Sequence, residues 1–191
     1  MSEIEQISSL KNHFLVAMPT LEGDYFGRAV TFIVEHNDKG AMGIVINQAS
    51  TMSFKELINQ TDSAVVIDED KLDKIVVCGG PVHQDRGFIV HSTQPGWSSS
   101  IELNSDIMVT TSKDILSVIG NNKGPERSIV ALGYAGWDAG QLENEIRENA
   151  WLTIPADYDI LFDTPIHLKW QAAVNKLGVD VWQLTQQAGH A

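Results

Sequence analysis

Two links in this chain are too short to carry a helix between parallel strands, and they limit the fold more than any other feature. One joins Val34 to Ile44 through the turn-forming Asp38-Lys39-Gly40; the other joins Cys78 to Phe88 through Gly79-Gly80-Pro81. Parallel neighbours need a crossover of a dozen or more residues, so both links read as antiparallel connections. They belong to a set of seven short apolar runs, at 14–18, 30–34, 44–46, 75–78, 88–90, 107–109 and 129–132. Most are β-branched or aromatic and bounded by Gly, Asp, Asn or Pro, which marks strands. Few alternate apolar with polar residues, so both faces of the sheet need cover. The expected class is α+β, a largely antiparallel sheet curled over one side with helices on the other.

Helix signals fall between and after these runs. Ser53-Phe54-Lys55-Glu56 forms a capping box for a short helix to about Gln60. Ser112 is expected to cap a helix through Ile115, Leu116 and Ile119, ended by Gly120. Residues 132–138 read as a strand, a glycine turn and a helix start with Asp138 as N-cap. That helix would carry Leu142 and Ile146 on one face and a Glu143/Arg147 pair on the other. Thr164-Pro165 opens another, with Ile166, Trp170, Val174 and Leu177 in one apolar stripe before Gly178. A last short helix is expected at about 181–187. Residues 1–12 read as a flexible tail and 13–191 as one domain, without repeat or linker.

Charge and cysteine content exclude several functions. Twenty-five acids oppose 13 Lys and Arg, a net charge of −12 in 191 residues. Nucleic-acid affinity rests on cations, so direct nucleic-acid binding is not expected. The helix expected at 181–187 contains neither Lys nor Arg, which argues against a DNA-recognition helix. Cys78 is the sole cysteine, so no internal disulfide forms, and a reducing cytoplasm suits the chain. The N-terminus is acidic rather than signal-like, and no run reaches the ~18 apolar residues of a membrane span.

No catalytic constellation is complete. Gly133, Gly136 and Gly140 miss the dinucleotide spacing, and no Gly-Lys-Ser/Thr follows. Residues 96–100 miss the last glycine of a serine-hydrolase elbow. Cys78 ends an apolar run and reads as a small buried hydrophobe. His83 and His91 lack a ligand partner at zinc spacing, so no metal and no cofactor is expected.

Several segments resemble the bacterial YqgE/AlgH family: 14–19, Glu35-His36-Asn37 with 40–43, Gly79-Gly80-Pro81-Val82, and above all 133–143 continued by Asn149-Ala150-Trp151-Leu152. Their order and spacing carry the resemblance over about 13–191. One departure is Asn47-Gln48-Ala49, where the family often has Asn-Arg-Pro. The resemblance implies an α+β fold with a branched sheet bent into a pseudo-barrel and flanked by helices. It implies no settled activity; the AlgH branch is named for a proposed role in alginate control, and members are labelled transcriptional regulators.

Three readings follow. The first is a non-catalytic binding or regulatory protein acting through a protein or small ligand. The second is a ligand site or enzyme near the two glycine turns, drawing on His36, Asn37, Gly79, Gly80, Pro81, Trp137, Gln141 and Glu143, with His36 and Glu143 as the acid/base pair. His83, Asp85 and Arg86 lie within reach of the same turn. The third is an acidic partner surface: 138–163 holds seven acids against Arg147 alone, with Glu145, Glu148, Asp157 and Asp159 as its candidates.

Overall fold

The computed structural model describes residues 8–19, 27–61 and 65–178. Nine strands run among them: β1 (His13–Ala17), β2 (Val30–Asn37), β3 (Gly40–Val45), β4 (Val76–Cys78), β5 (Val82–Ser92), β6 (Ser100–Glu102), β7 (Ile107–Thr110), β8 (Ser128–Asp138) and β9 (Trp151–Pro155). The helices are α1 (Phe54–Thr61), α2 (Leu116–Ile119), α3 (Gln141–Arg147), α4 (Tyr158–Phe162) and α5 (Lys169–Leu177). The fold is α+β. Its curled, mostly antiparallel sheet has the order β6-β7-β5-β8-β3-β2-β1-β9.

β8 is the branch point. Its first half pairs antiparallel with β5 and parallel with β4; its second half pairs antiparallel with β3. Gly133, at φ +78, separates the halves. A Cβ there would stand 2.4 Å from Gly80 O, and one on Gly79 would stand 2.3 Å from Gly133 O. The two glycine clusters therefore meet backbone to backbone, where no other residue fits.

Both faces are covered, as unbroken apolar strands require. Phe14, Val16, Phe32, Ile44, Phe88, Val90 and Ala131 point into the curl, which α4 and α5 close with Leu161, Trp170 and Val174. Their neighbours Leu15, Ile33, Val45 and Ala135 face outward against Leu142 of α3. Ile89, Val130 and Leu132 face outward against Phe54, Leu57 and Ile58 of α1 and Leu116 of α2. Alternate residues thus belong to different apolar clusters, the period-two rule with apolar groups on both sides.

Several expectations are corrected. Residues 132–138 are continuous strand; Asp138 ends β8, and α3 follows Gly140 at φ +77 with no side-chain cap. Gly79-Gly80-Pro81 is no hairpin, because β4 pairs parallel with β8 while β5 takes β8's other edge. The Ser112 hydroxyl caps no helical N–H: it accepts Ser99 N–H and donates to Asp114, and a 3-10 turn precedes the single turn of α2. Pro165, not Thr164, flanks a 3-10 turn at 166–168, and α5 starts at Lys169. β6 and β9 were not expected. Within the tail, Leu10 is buried and Asn12 N–H donates to Ile33 O at 2.8 Å. The helix at 181–187 lies outside the described residues.

Candidate functional site

His36, Trp137, Gln141, Glu143 and Glu145 come together beside α3. A register shift in β2 between Ile33 and Glu35 inserts a residue and turns the His36 ring toward α3. His36 Nδ1 accepts the Leu10 N–H at 2.9 Å, so the ring proton is on Nε2, which donates to Glu143 Oε1 at 2.6 Å. The imidazole is almost wholly buried, and both nitrogens are engaged. Burial opposes ionisation of Glu143, but the His36 hydrogen bond, its own backbone N–H and the charge of Arg147 hold its pKa below the ordinary 4.5. Arg147 itself donates to Asn144 Oδ1, not to the Glu143 carboxylate.

The remaining groups here close local structure. Asn37 Oδ1 accepts Lys39 N–H at 2.8 Å and shapes the β2–β3 turn. Gln141 accepts the Asp138 N–H and donates to Glu145 Oε1. Glu145 Oε2 receives the indole N–H of Trp137 at 2.7 Å and of Trp151 at 2.8 Å, while the two rings meet edge to face. Gly79 and Gly80 do not join this cluster; backbone of Gly133 and Tyr134 fills the space a ligand would need. Pro81 is exposed.

The acidic stretch is largely spoken for internally. Glu143 and Glu145 are held as above. Asp157 caps α4 through Ile160 N–H and pairs with Lys176 at 2.6 Å; burial opposes these contacts, yet its pKa stays below the usual carboxylate value. Asp163 pairs with Arg127 at 2.6 Å. Of the four candidates of that surface, Glu148 and Asp159 have neither a side-chain hydrogen bond nor an ion pair among the described residues.

The open site lies elsewhere, in a cleft of about 470 Å³ between α1, β5 and the β7–α2 link. That volume falls within the range of small-molecule sites. Leu57, Ile89, Leu116, Val130 and Leu132 supply apolar walls; Gln60, His83, Asp85, Arg86 and Lys113 supply polar groups. Among the described residues, the side chains of these five have no hydrogen bond or ion pair. His83 and Arg86 make only ring contacts, with Tyr134 and Phe88. Gly87 leaves the cleft open: a Cβ there would meet nothing nearer than Ala131 O at 4.0 Å. The sequence signal for this site was the polar run 83–86 after the glycines; the α1 and β7–α2 walls had none, because only tertiary packing brings them there.

Behind one wall sits a polar chain. His91 Nδ1 donates to Ser92 O at 2.7 Å, so Nε2 accepts the hydroxyl of Thr110 at 2.7 Å, which also meets Ser100 Oγ at 2.7 Å. A base next to a hydroxyl resembles an activated nucleophile. Thr110, however, has 0% exposure, so its hydroxyl is buried beneath the cleft wall, and only Ser100 at the end of the chain reaches the surface. Burial lowers the His91 pKa, outweighing the Ser92 hydrogen bond, and keeps the ring neutral at pH 7. Among the described residues no group of three or more His, Cys, Asp or Glu is placed to hold a metal, and no helix is long and apolar enough to cross a membrane. Cys78 is half-buried and free.

A branched sheet bent at paired glycines, covered by helices on both faces and carrying a ligand-sized cleft, defines a small α+β protein of pseudo-barrel type. The AlgH-like family profile, DUF179, matches residues 14–182, and the chain belongs to that family. A UPF0301 protein of Shewanella sp. strain ANA-3 is 50% identical over 187 residues, covering 97% of this chain and 100% of that one. The UPF0301 protein YE3428 of Yersinia enterocolitica is 51% identical over 189 residues, covering 96% and 100%. The solution structure of the AlgH protein from Pseudomonas aeruginosa aligns at TM-score 0.77 with 45% identity over 97% of each chain. A crystal structure of protein DIP2367 from Corynebacterium diphtheriae, at 21% identity and TM-score 0.68 over 87% and 85%, shares the fold.

Proposed function

We propose that the protein is a non-catalytic binding protein of regulatory type, working in the cytoplasm, whose small ligand occupies the cleft between α1, β5 and the β7–α2 link. The observation that carries this is the pairing of apolar walls with unpaired polar side chains over the open Gly87. Such side chains are free to orient a ligand while the walls supply burial. His36 and Glu143, by contrast, hold the segment before β1 and α3 together, with no lone pair or proton left over on the ring. Any control of transcription then runs through the ligand or a protein partner, since the charge of −12 opposes a grip on DNA.

Gly87 supplies the test. Its φ lies outside the left-handed region, so Gly87→Leu is compatible with the backbone and fills the cleft. Titrating ¹⁵N-labelled protein with indole, a neutral fragment, should shift the amides of Leu57, Ile89 and Leu116 saturably, and Gly87→Leu should abolish those shifts. Shifts scattered over the surface, or unchanged in the variant, would show that the cleft is not the site.

A further inference from the structure

We infer that the ligand of this cleft is an amino acid with an apolar side chain, its ammonium held by Asp85 and its carboxylate by Lys113. This rests on the cleft being the binding site. Alternation along β5 assigns the faces. Arg86 lays its guanidinium over Phe88, which packs into the curl, and the His83 ring lies against Tyr134 on that same side. Asp85 and Gly87 alternate with Arg86 and Phe88, so they share the cleft side with Ile89. On another wall, Thr110 pairs with Ile89, and the chain runs on along the cleft through Thr111 and Ser112 to Lys113. Thr61, Lys113 and Leu116 also line a second, smaller cavity, so Lys113 stands where the two adjoin.

The cleft thus carries one acid and one base on different walls. Both are exposed, and among the described residues neither side chain has a hydrogen bond or an ion pair, with the other or with any third group. The acid next in sequence to Lys113 is engaged elsewhere. Asp114 Oδ2 accepts Ser98 N–H at 2.8 Å and the Ser98 hydroxyl at 2.9 Å, and Oδ1 accepts Ile115 N–H at 3.0 Å and the Ser112 hydroxyl. Leu57, Ile89, Leu116, Val130 and Leu132 call for an apolar body in the ligand. The two charges then choose its head group. A neutral ligand would cover both poles without pairing them, and a ligand of one sign would pair one and strand the other. An amino acid carries an ammonium and a carboxylate on one carbon beside its side chain, so it meets both poles and the walls together. It is neutral overall, as is a lining in which Lys113 balances Asp85.

A series with one body and different charges tests this. L-Tryptophan, indole-3-propionate, tryptamine and indole are titrated into the whole ¹⁵N-labelled protein, reading the amides of Gly87, Lys113 and Leu116. L-Tryptophan should bind about fivefold more tightly than either singly charged analogue, the gain of one partly exposed charge pair. Asp85→Asn should bring L-tryptophan down to indole-3-propionate, and Lys113→Gln should bring it down to tryptamine. Indole binding should be the same in both variants as in the wild type, which shows the cleft intact. High salt should narrow the series. Equal binding of all four at these amides, a singly charged analogue that matches L-tryptophan, or a preference that survives both variants would overturn the amino-acid inference and leave the cleft as the site. If none of the four shifts these amides, the cleft reading falls with it.

Discussion

Two indole N–H groups aim at one oxygen of Glu145, 2.7 Å from Trp137 and 2.8 Å from Trp151. Both tryptophans are buried, so neither donor has water to fall back on. Glu145→Ala strands both donors and also frees Gln141 Nε2, and should cost about 3 kcal/mol in urea unfolding. Glu145→Gln keeps an acceptor oxygen and should recover much of that loss. The near-ultraviolet circular dichroism of the tryptophan pair should change in the first variant more than in the second. If alanine is tolerated within ~0.5 kcal/mol, the carboxylate is not the anchor described. A weakened protein interaction in a Glu145 variant would therefore report lost structure before lost contact.

At the scale of elements, the bend of β8 depends on a contact that no side chain tolerates. Gly133→Ala places a Cβ 2.4 Å from Gly80 O at a backbone angle unsuited to alanine. It should cost at least ~3 kcal/mol and lower soluble yield, whereas Gly136→Ala, with its nearest contact 3.6 Å away on the Tyr134 ring, should be mild. The glycines at 79, 80 and 133 were visible in the sequence as turns, but turn signals do not reveal that two distant turns touch. The same limit explains the misread helix start at Asp138: a glycine inside a strand looks like punctuation until its neighbour is known. Local signals fared better. The capping box closes reciprocally, Ser53 N–H to Glu56 Oε2 at 2.8 Å and Glu56 N–H to Ser53 Oγ at 3.1 Å. The stripe of α5 buries Trp170 and Val174, and Gly178 ends it at φ +67. β6 and β9 carry weak strand signals, because Ser100–Glu102 is three exposed residues and Trp151–Pro155 is a five-residue strand that ends in proline. The cleft was half legible, through His83, Asp85 and Arg86; Lys113 and Gln60 reach it only by packing.

For the molecule as a whole, buried cations and a buried imidazole set how stability follows pH. Lys169 is 4% exposed and its Nζ donates to Leu161 O; burial lowers its pKa from 10.5 to about 8. Lys74 donates to Ser128 O, and burial, then the charge of Lys71, lowers it likewise to about 8. Between about 8 and 10.5 the unfolded chain holds protons that the folded chain has released, so stability rises with pH across that interval. On the acid side, the lowered His91 pKa means that the unfolded chain gains its proton first, so stability falls as pH drops below the ordinary 6.5. Glu143 and Asp157 contribute stability that is present above their ordinary values of 4.5 and 3.8 and is lost as pH falls through their lower folded values. The melting temperature should therefore climb from pH 5 through 7 and continue to climb toward pH 9, an unusual course when most stability maxima lie at about pH 5 to 8. Lys169→Met removes one buried charge and keeps an apolar stem of similar length. Its alkaline slope should be shallower than the wild type's by on the order of 1 kcal/mol across the interval, with the acid limb unchanged. Parallel curves for the two proteins between pH 7 and 10 would mean that Lys169 is charged in the folded state throughout, and that the carbonyl of Leu161 at the end of α4 is enough to hold an ammonium there.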